Sequence, residues 1–136
     1  MEPDTAPAEG DSERSDQERL SQKFQRELNA GLVGLVLLAV LAGADEDLYG
    51  YQIAKRLQDL ANGSPPVKQG ALYPVLRQLS ANGLLASRIV PSYAGPPRRY
   101  YRITGTGRAT LVEWRDIWRN TRDFVDGFTD SNGASP

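Results

Sequence analysis

The fold is decided by the segment Lys68-Gln69-Gly70-Ala71-Leu72-Tyr73-Pro74-Val75-Leu76-Arg77-Gln78-Leu79. Its leucine and valine side chains recur at spacings of three and four residues, which places them on one side of an α-helix. The other side carries glutamine, tyrosine and arginine, which can contact another molecule. Asn82-Gly83 follows, and glycine is the usual residue just past a helix C-terminus. The segment therefore predicts a short helix with one apolar and one polar face.

A second helix is predicted immediately before this one, from Gln52 to Leu60, with Ile53, Leu57 and Leu60 on its inner side. Between the two helices, Asn62-Gly63-Ser64-Pro65-Pro66 cannot continue a helix and indicates a turn. Two helices joined by such a turn, the second with a polar outer face, are typical of a helix-turn-helix.

Two strands are predicted after Gly83, from Leu84 to Val90 and from Arg98 to Thr104, joined by a loop over 91–97. In the second strand, Tyr101 and Ile103 share one face, while Arg98, Tyr100 and Arg102 share the other. A hairpin of this kind, with one face packed on the domain and the other exposed to solvent, is expected to form the wing of a winged helix.

Longer helices are predicted on both sides of this unit. The first begins at Glu18 and ends at Gly43, and the last runs from about Arg108 to Gly127. The sequence predicts a mainly α protein with a small β-hairpin: a winged helix-turn-helix with an N-terminal helix and a C-terminal dimerisation helix. The expected boundaries are a disordered acidic tail over 1–17, the DNA-binding domain over 18–105, the dimerisation helix over 106–129 and a disordered tail over 130–136.

Charge is distributed unevenly along the chain. The net charge is −1, but residues 1–18 hold seven acidic residues against one basic, and residues 49–108 hold nine basic residues against one acidic. Basic residues concentrated in one region are the electrostatic signature of a protein that binds nucleic acid. A solvated charged surface would produce the same pattern, so charge alone leaves both interpretations open.

Several classes of protein are excluded by composition. The chain has no cysteine and no histidine, which removes disulfides, thiolate or imidazole metal sites and Ser-His-Asp or Cys-His catalysis. No other enzymatic constellation is visible, so we predict no enzyme, no metal and no cofactor. No apolar run reaches eighteen residues, and no secretion signal opens the chain, which favours a cytoplasmic protein without a membrane partner.

Three motifs, in order and in spacing, resemble the PadR-type winged-helix transcriptional regulators of the branch with a short C-terminal helix. They are Leu48-Tyr49-Gly50-Tyr51-Gln52-Ile53, then Gly70 to Leu79 with Asn82-Gly83-Leu84-Leu85, then Gly95-Pro96-Pro97-Arg98-Arg99-Tyr100-Tyr101-Arg102-Ile103-Thr104 with Gly107. The resemblance implies a homodimer on a near-palindromic operator, usually as a repressor. Lys68 and Ala71 stand where the family commonly has hydroxyl residues, which implies an operator different from the family's commonest one.

The candidate DNA-binding residues lie on the predicted recognition helix and the wing. Their side chains either present donors and acceptors to base edges, touch a thymine methyl group or offer positive charge to phosphates. Base contacts are predicted for Gln69 and Ala71, and phosphate contacts for Lys68, Arg98 and Arg99. Arg77 and Gln78 have the donors and acceptors for base contacts but lie farther down the helix, so for these two a contact to the DNA backbone alone is the open alternative. A phosphate contact is favoured for Tyr73, whereas core positions are predicted for Tyr49, Tyr51, Leu72, Tyr101 and Ile103.

The last helix carries an apolar seam at alternating steps of three and four residues, formed by Leu111, Trp114, Trp118, Thr121, Val125 and Phe128. Such a seam predicts packing against a partner helix, here a second copy of the chain. Some members of the resembled family bind flat aromatic or cationic ligands between these helices, so Trp114 and Trp118, with Leu111 and Val125, are also candidates for an effector site. The alternative to an operator-binding regulator is a winged-helix module for protein–protein contacts.

Overall fold

The computed structural model describes residues 9–60 and 69–132, which form four helices and three strands. In chain order these elements are α1 Glu9–Ala42, β1 Leu48–Tyr49, α2 Gly50–Leu60, α3 Gln69–Ala81, β2 Leu85–Ser92, β3 Gly95–Ile103 and α4 Gly105–Asn132. The predicted mainly α winged helix-turn-helix is confirmed. The chain divides into two compact units, Met1–Leu32 and Val33–Pro136.

In the first unit, α1 begins at Glu9, so the tail predicted as disordered over 1–17 is helical from residue 9 onward. The physical reason is that no proline follows residue 9 in this segment, so nothing in the chain interrupts the helix. The side chains from Glu13 to Leu28 are all exposed, including Leu20 and Phe24. Residues 1–8 lie outside the described residues.

The second unit is built around a leucine-rich core. Leu37, Leu38, Ile53 and Leu76 have no exposed surface, and Leu48 and Leu72 have 1%. These side chains come from the last part of α1, from β1, α2 and α3, and burying each of them contributes roughly 1.5–3 kcal/mol. Core formation therefore fixes the angle between the two helices of the helix-turn-helix.

A three-stranded antiparallel sheet, in the order β1-β3-β2, adjoins this core. The sequence predicted a hairpin alone and missed β1, which pairs Leu48 with Tyr101 and Tyr49 with Tyr100. A two-residue strand has no periodicity to detect, and its partner lies about fifty residues later in the chain. Strand β1 matters because it leads directly into α2 and places the N-terminus of α2 beside the wing.

The wing is longer than the sequence predicted. The loop expected over 91–97 is mostly strand, since Val90 pairs with Arg98 and Ser92 with Gly95, leaving a turn at Tyr93 and Ala94. The register shifts between Val90 and Ser92, so Pro91 sits at an irregularity where its missing N–H does not break the ladder.

Helix α4 is capped at Thr104 and ends three residues beyond the predicted dimerisation helix. The amide of Gly107 donates to Thr104 Oγ1 at 3.0 Å, while the Thr104 hydroxyl donates to the carbonyl oxygen of Gly83 at 2.7 Å. A Cβ at Gly107 would collide with the carbonyl oxygen of Leu84, which explains the glycine. Residues 130–132, predicted as tail, are helical, because Thr129 and Ser131 bond back to carbonyls of the preceding turn.

Helix α1 is long and apolar enough, by length and composition, to cross a membrane. Its apolar end supplies Leu37, Leu38 and Leu41 to the core of the second unit, where they are buried. The hydrophobicity of α1 therefore has an explanation in the packing of this domain.

Candidate nucleic-acid interface

Helix α3 presents one buried and one exposed side, as its periodicity predicted. Leu72, Leu76 and Leu79 are at most 4% exposed and anchor the helix on the core. The exposed side carries Ala71, Tyr73, Pro74, Arg77 and Gln78. Lys68 and the side chain of Gln69 lie outside the described residues, so their predicted contacts remain predictions.

Between α3, the start of α2 and the wing lies a cleft of about 290 Å³, here called the basic cleft. It is lined by Tyr49, Gly50, Tyr73, Arg77, Pro97, Arg98, Arg99 and Tyr101. Three guanidinium groups and the Tyr73 and Tyr101 side chains therefore border one space. Guanidinium groups bind phosphate oxygens through two parallel N–H donors, so this chemistry suits a phosphate better than an apolar ligand.

A second cavity, of about 420 Å³, continues the cleft along α3, because Arg77, Arg99 and Tyr101 line both. Arg99 donates from Nη1 to Ser87 Oγ at 3.0 Å, which holds its guanidinium against β2. Ser80 also borders this cavity, and among the described residues its Oγ is buried without a hydrogen-bond partner. Positive and polar groups thus follow the whole edge between α3 and the wing.

The position of Tyr73 depends on the glycine at the start of α2. A Cβ added at Gly50 would run into the Tyr73 ring and would lie 2.8 Å from its hydroxyl oxygen. The start of α2 is itself fixed by Gln52, whose Oε1 accepts from the Tyr49 amide at 3.1 Å, the reciprocal half of a capping box. Tyr73, 37% exposed, is therefore held at the cleft by its neighbours.

Arg98 lies at the end of a chain of aromatic and charged contacts, here called the tyrosine–arginine ladder. Its Cζ is 4.5 Å from the centre of the Tyr49 ring, and Tyr49 meets Tyr100 edge-on at 5.3 Å. Arg88 stands over Tyr100 at 5.1 Å and donates from Nε to Asp47 Oδ2 at 3.0 Å. Cation–π contacts of this kind orient a guanidinium while leaving its N–H donors available.

Tyr101 is the buried group of the cleft, 4% exposed. Burial raises the pKa of its phenol above the ordinary value of 10.0, and the nearby positive charges of Arg99 and Arg77 oppose this shift. The hydroxyl therefore stays neutral at physiological pH.

The structure brings together four of the predicted site residues, Tyr73, Arg77, Arg98 and Arg99, and leaves Ala71 and Gln78 exposed on α3 outside both cavities. It adds Tyr49 and Gly50, which sequence reasoning missed. Tyr49 was predicted as core but is half-buried, and Tyr51 is 56% exposed, so for these two the core prediction was wrong. Because β1 is so short, the alternation that would have placed Tyr49 on the outer face was not recognisable.

The candidate residues of α4 occupy different environments. Trp114 packs on Gly34, whose Cβ would lie 3.4 Å from Trp114 Cζ3, and with Leu111 it contacts the core of the second unit. Trp118 is half-buried, and Val125 is 47% exposed. The first part of the seam therefore packs within the chain, while the last part faces outward.

Sequence comparison identifies the family. The model of the transcriptional regulator PadR-like family matches residues 37–113, which contain the core, the helix-turn-helix and the wing described above. The chain belongs to the PadR-like family of transcriptional regulators. This PadR-like chain is also 42% identical over 74 residues to Transcriptional regulator Rv3488 of Mycobacterium tuberculosis, a match that covers 53% of the chain and 64% of that protein.

Solved structures agree with this assignment. A PadR family transcriptional regulator from Eggerthella lenta is 31% identical, with a TM-score of 0.70, over 87% of this chain and 99% of that one. A transcriptional regulator from Clostridium thermocellum is 26% identical, with a TM-score of 0.66, over 75% of this chain and 94% of that one. The PadR-like chain is therefore a DNA-binding transcription regulator with a winged helix, and its family consists of regulators and not of enzymes.

Proposed function

We propose that this PadR-like protein is a cytoplasmic homodimeric repressor that binds a near-palindromic operator. The observation that carries the proposal is the position of the basic cleft. Tyr73 and Arg77 on α3 and Arg98 and Arg99 on the wing border one space beside the exposed side of the helix. A DNA backbone running along this edge would meet guanidinium groups from two elements at once.

The proposed DNA contacts fall into two sets, contacts to base edges and contacts to phosphates. Gln69, Ala71 and Gln78 are assigned to base edges, because the last two lie exposed on α3 away from the cleft. Lys68, Tyr73, Arg98 and Arg99 are assigned to phosphates, which fix the register of the protein on DNA without reading its sequence. Arg77 borders the cleft, which favours the phosphate contact among the two alternatives that the sequence left open for it.

The homodimer is supported by exposed apolar side chains on the terminal helices. Leu20 and Phe24 on α1 are 56% and 64% exposed, and Phe124 and Phe128 on α4 are 67% and 60% exposed. Large apolar side chains left together on the surface of a small domain normally mark an interface. A symmetric dimer also explains a near-palindromic operator, since its two-fold axis presents two identical recognition helices.

The proposed effector-binding site is assigned to Trp118, because the Trp114 ring is packed on Gly34. An apolar groove of about 540 Å³ is lined by residues of α1, α2 and α4, and its α4 residues, Leu111 and Arg115, precede Trp118 in the same helix. A flat aromatic effector bound at Trp118 is expected to quench tryptophan fluorescence in the parent and in Trp114→Phe. Loss of the response in Trp114→Phe and not in Trp118→Phe would contradict this assignment.

Selection of bound duplexes from a random pool tests the proposal directly. We expect one near-palindromic sequence to be enriched, with two half-sites separated by about one helical turn. On that sequence, Gln78→Ala is expected to lose roughly 1–3 kcal/mol of discrimination at one base pair of each half-site.

Thr129→Ala serves as a control, because Thr129 is exposed on α4 away from α3 and the wing. Enrichment of no sequence, with equal affinity for all duplexes, would remove the repressor proposal and favour the winged helix as a module for protein–protein contacts.

A further inference from the structure

The second cavity beside the basic cleft, here called the serine cavity, lies between α3 and the wing and measures about 420 Å³. Helix α3 contributes Arg77 to its wall, and the wing contributes Ser87, Arg99 and Tyr101. Ser87 stands directly opposite Tyr101 in the sheet, and Arg99 is two residues before Tyr101, so the three side chains share one face of the wing. The register of the sheet therefore gathers them at one cavity.

The positive charge at the serine cavity has no carboxylate to balance it. In the part of the chain that the structure describes, no carboxylate lines the cavity or forms a salt bridge with Arg77 or Arg99. On the opposite face of the wing, by contrast, Arg88 forms a salt bridge with Asp47 at 3.0 Å. The serine cavity therefore presents two uncompensated guanidinium groups, which favours an anionic ligand.

The donors of the cavity are partly oriented before any ligand binds. Arg99 donates from Nη1 to Ser87 Oγ at 3.0 Å, which uses one of the five N–H donors of the guanidinium group. The Ser87 hydroxyl accepts this bond and still has its own hydrogen to donate. Burial, which raises the pKa of Tyr101, keeps its phenol protonated and able to donate as well. Guanidinium and hydroxyl donors together suit a ligand with several oxygen atoms.

Charge and shape select a terminal phosphate group among such ligands. Guanidinium groups bind phosphate oxygens through pairs of parallel N–H donors. A phosphate monoester carries a charge of about −1.5 to −2 at neutral pH and three free oxygens, whereas each phosphodiester of DNA carries a single charge. The two unpaired guanidinium groups match the monoester better. The volume of the cavity, about 420 Å³, also lies within the usual range for small-molecule sites.

We infer that the serine cavity binds the terminal phosphate group of a small molecule, either inorganic phosphate or a phosphomonoester, and that this ligand competes with DNA. The competition rests on the proposed function, because Arg77 and Arg99 line both the serine cavity and the basic cleft. A phosphate group held by these two residues leaves Arg98 as the remaining guanidinium of the cleft. Binding of the phosphate group itself does not depend on an operator.

Calorimetric titration of the full chain with inorganic phosphate, in the absence of DNA, tests the site. We expect saturable binding at millimolar concentrations by the parent. The phosphate Kd should rise on the order of tenfold or more in Arg99→Ala, which loses a charged donor, and roughly two- to tenfold in Ser87→Ala. Dimethyl phosphate, a diester with a single charge, should bind more weakly than inorganic phosphate to the parent.

Arg98→Ala is the matched control, because Arg98 adjoins Arg99 in the chain and lines the basic cleft but not the serine cavity. This variant is expected to bind inorganic phosphate like the parent although its affinity for DNA falls. Thermal unfolding of each variant monitors the fold. Absence of phosphate binding in the parent, or binding that Arg99→Ala and Ser87→Ala leave unchanged, would overturn the site.

Replacing chloride by phosphate at constant ionic strength tests the competition, since duplex affinity depends on salt. The Kd of the parent for its selected operator should rise in proportion to the phosphate concentration, and the rise should be smaller in Ser87→Ala. An unchanged operator Kd in a parent that binds phosphate would overturn the competition. A parent that binds phosphate and no duplex at all would contradict the proposed function and leave the phosphate site standing.

Discussion

At the scale of single residues, the tyrosine–arginine ladder explains how an exposed wing presents an ordered cation. A lysine or arginine on a hairpin tip ordinarily loses side-chain entropy when it binds a phosphate. The Tyr49 ring, 4.5 Å from the Arg98 guanidinium, restricts that side chain before DNA arrives. Tyr49 is thus expected to affect DNA affinity, although the sequence predicted only a structural role for it.

Replacing Tyr49 by leucine should therefore weaken DNA binding without changing the number of charges. A cation–π interaction at an exposed site is worth roughly 0.5–1 kcal/mol, so its removal corresponds to a rise in the DNA Kd of about two- to fivefold. Fluorescence anisotropy at several salt concentrations should show parallel lines for parent and variant, since Arg98 keeps its charge. Tyr49→Phe retains the ring and should bind like the parent. A steeper or flatter salt dependence in Tyr49→Leu would speak against a positioning role.

Gly50 and Tyr73 form a second pair of residues that depend on each other. Gly50→Ala should displace the Tyr73 ring, because a methyl group has no space beside it. Forcing this side chain out of its rotamer should destabilise the domain by roughly 0.5–1.5 kcal/mol. Tyr73→Ala removes the obstruction, so the double variant should be more stable than the sum of the single effects predicts. Urea unfolding of the four proteins measures this coupling. Additive free energies would mean that the two residues do not constrain each other.

At the scale of elements, the wing and α3 act as one surface, since the basic cleft is built from both. Arg98 and Arg99 adjoin on β3 and line the cleft with Arg77, although alternation places them on opposite faces of the strand. The wing is therefore expected to supply phosphate contacts rather than sequence readout.

Removing both wing arginines by Arg98→Ala with Arg99→Ala should weaken binding to all sequences alike. The slope of log Kd against log salt is expected to fall by about 0.9 for each phosphate that the variant no longer neutralises. Arg102→Ala removes an equivalent exposed charge from the same strand outside the cleft and provides the control. An unchanged slope in the double variant, measured on operator and on random DNA, would exclude the wing from phosphate binding.

At the scale of the whole molecule, Tyr101 links the stability of the domain to pH. Because burial raises its pKa in the folded state, folding favours the neutral phenol. Its contribution to stability is fully present below pH 10 and is lost as pH rises through the folded pKa, since the unfolded chain ionises first.

The free energy of unfolding should accordingly decline between about pH 9 and pH 11, and the decline should be smaller in Tyr101→Phe. Tyr93→Phe is the control, because Tyr93 is fully exposed at the wing turn. Urea titrations at both pH values measure the difference. An identical decline in the parent and in Tyr101→Phe would show that the buried phenol does not carry this pH dependence.

Much of this architecture follows from local patterns. The stripe Leu72, Leu76, Leu79 and the alternation of Tyr101 with Arg102 predicted α3 and the wing because each depends on neighbouring residues. The sequence could not predict β1 or the contact between Gly50 and Tyr73, because both depend on residues distant in the chain. The same holds for Trp114, whose packing on Gly34 becomes apparent only when α1 and α4 lie side by side.

The junction at the start of α4 has a mechanical consequence. Thr104 and Gly107 fasten the first turn of α4 to the carbonyls of Gly83 and Leu84, which lie between α3 and the wing. Helix α4 is therefore fixed to the winged helix-turn-helix and cannot tilt without turning it. In the proposed homodimer, a molecule that changes the angle between the two α4 helices would change the distance between the two winged helices. Regulation that acts at this junction would alter the half-site spacing that the protein tolerates. It would leave unchanged which bases each α3 contacts.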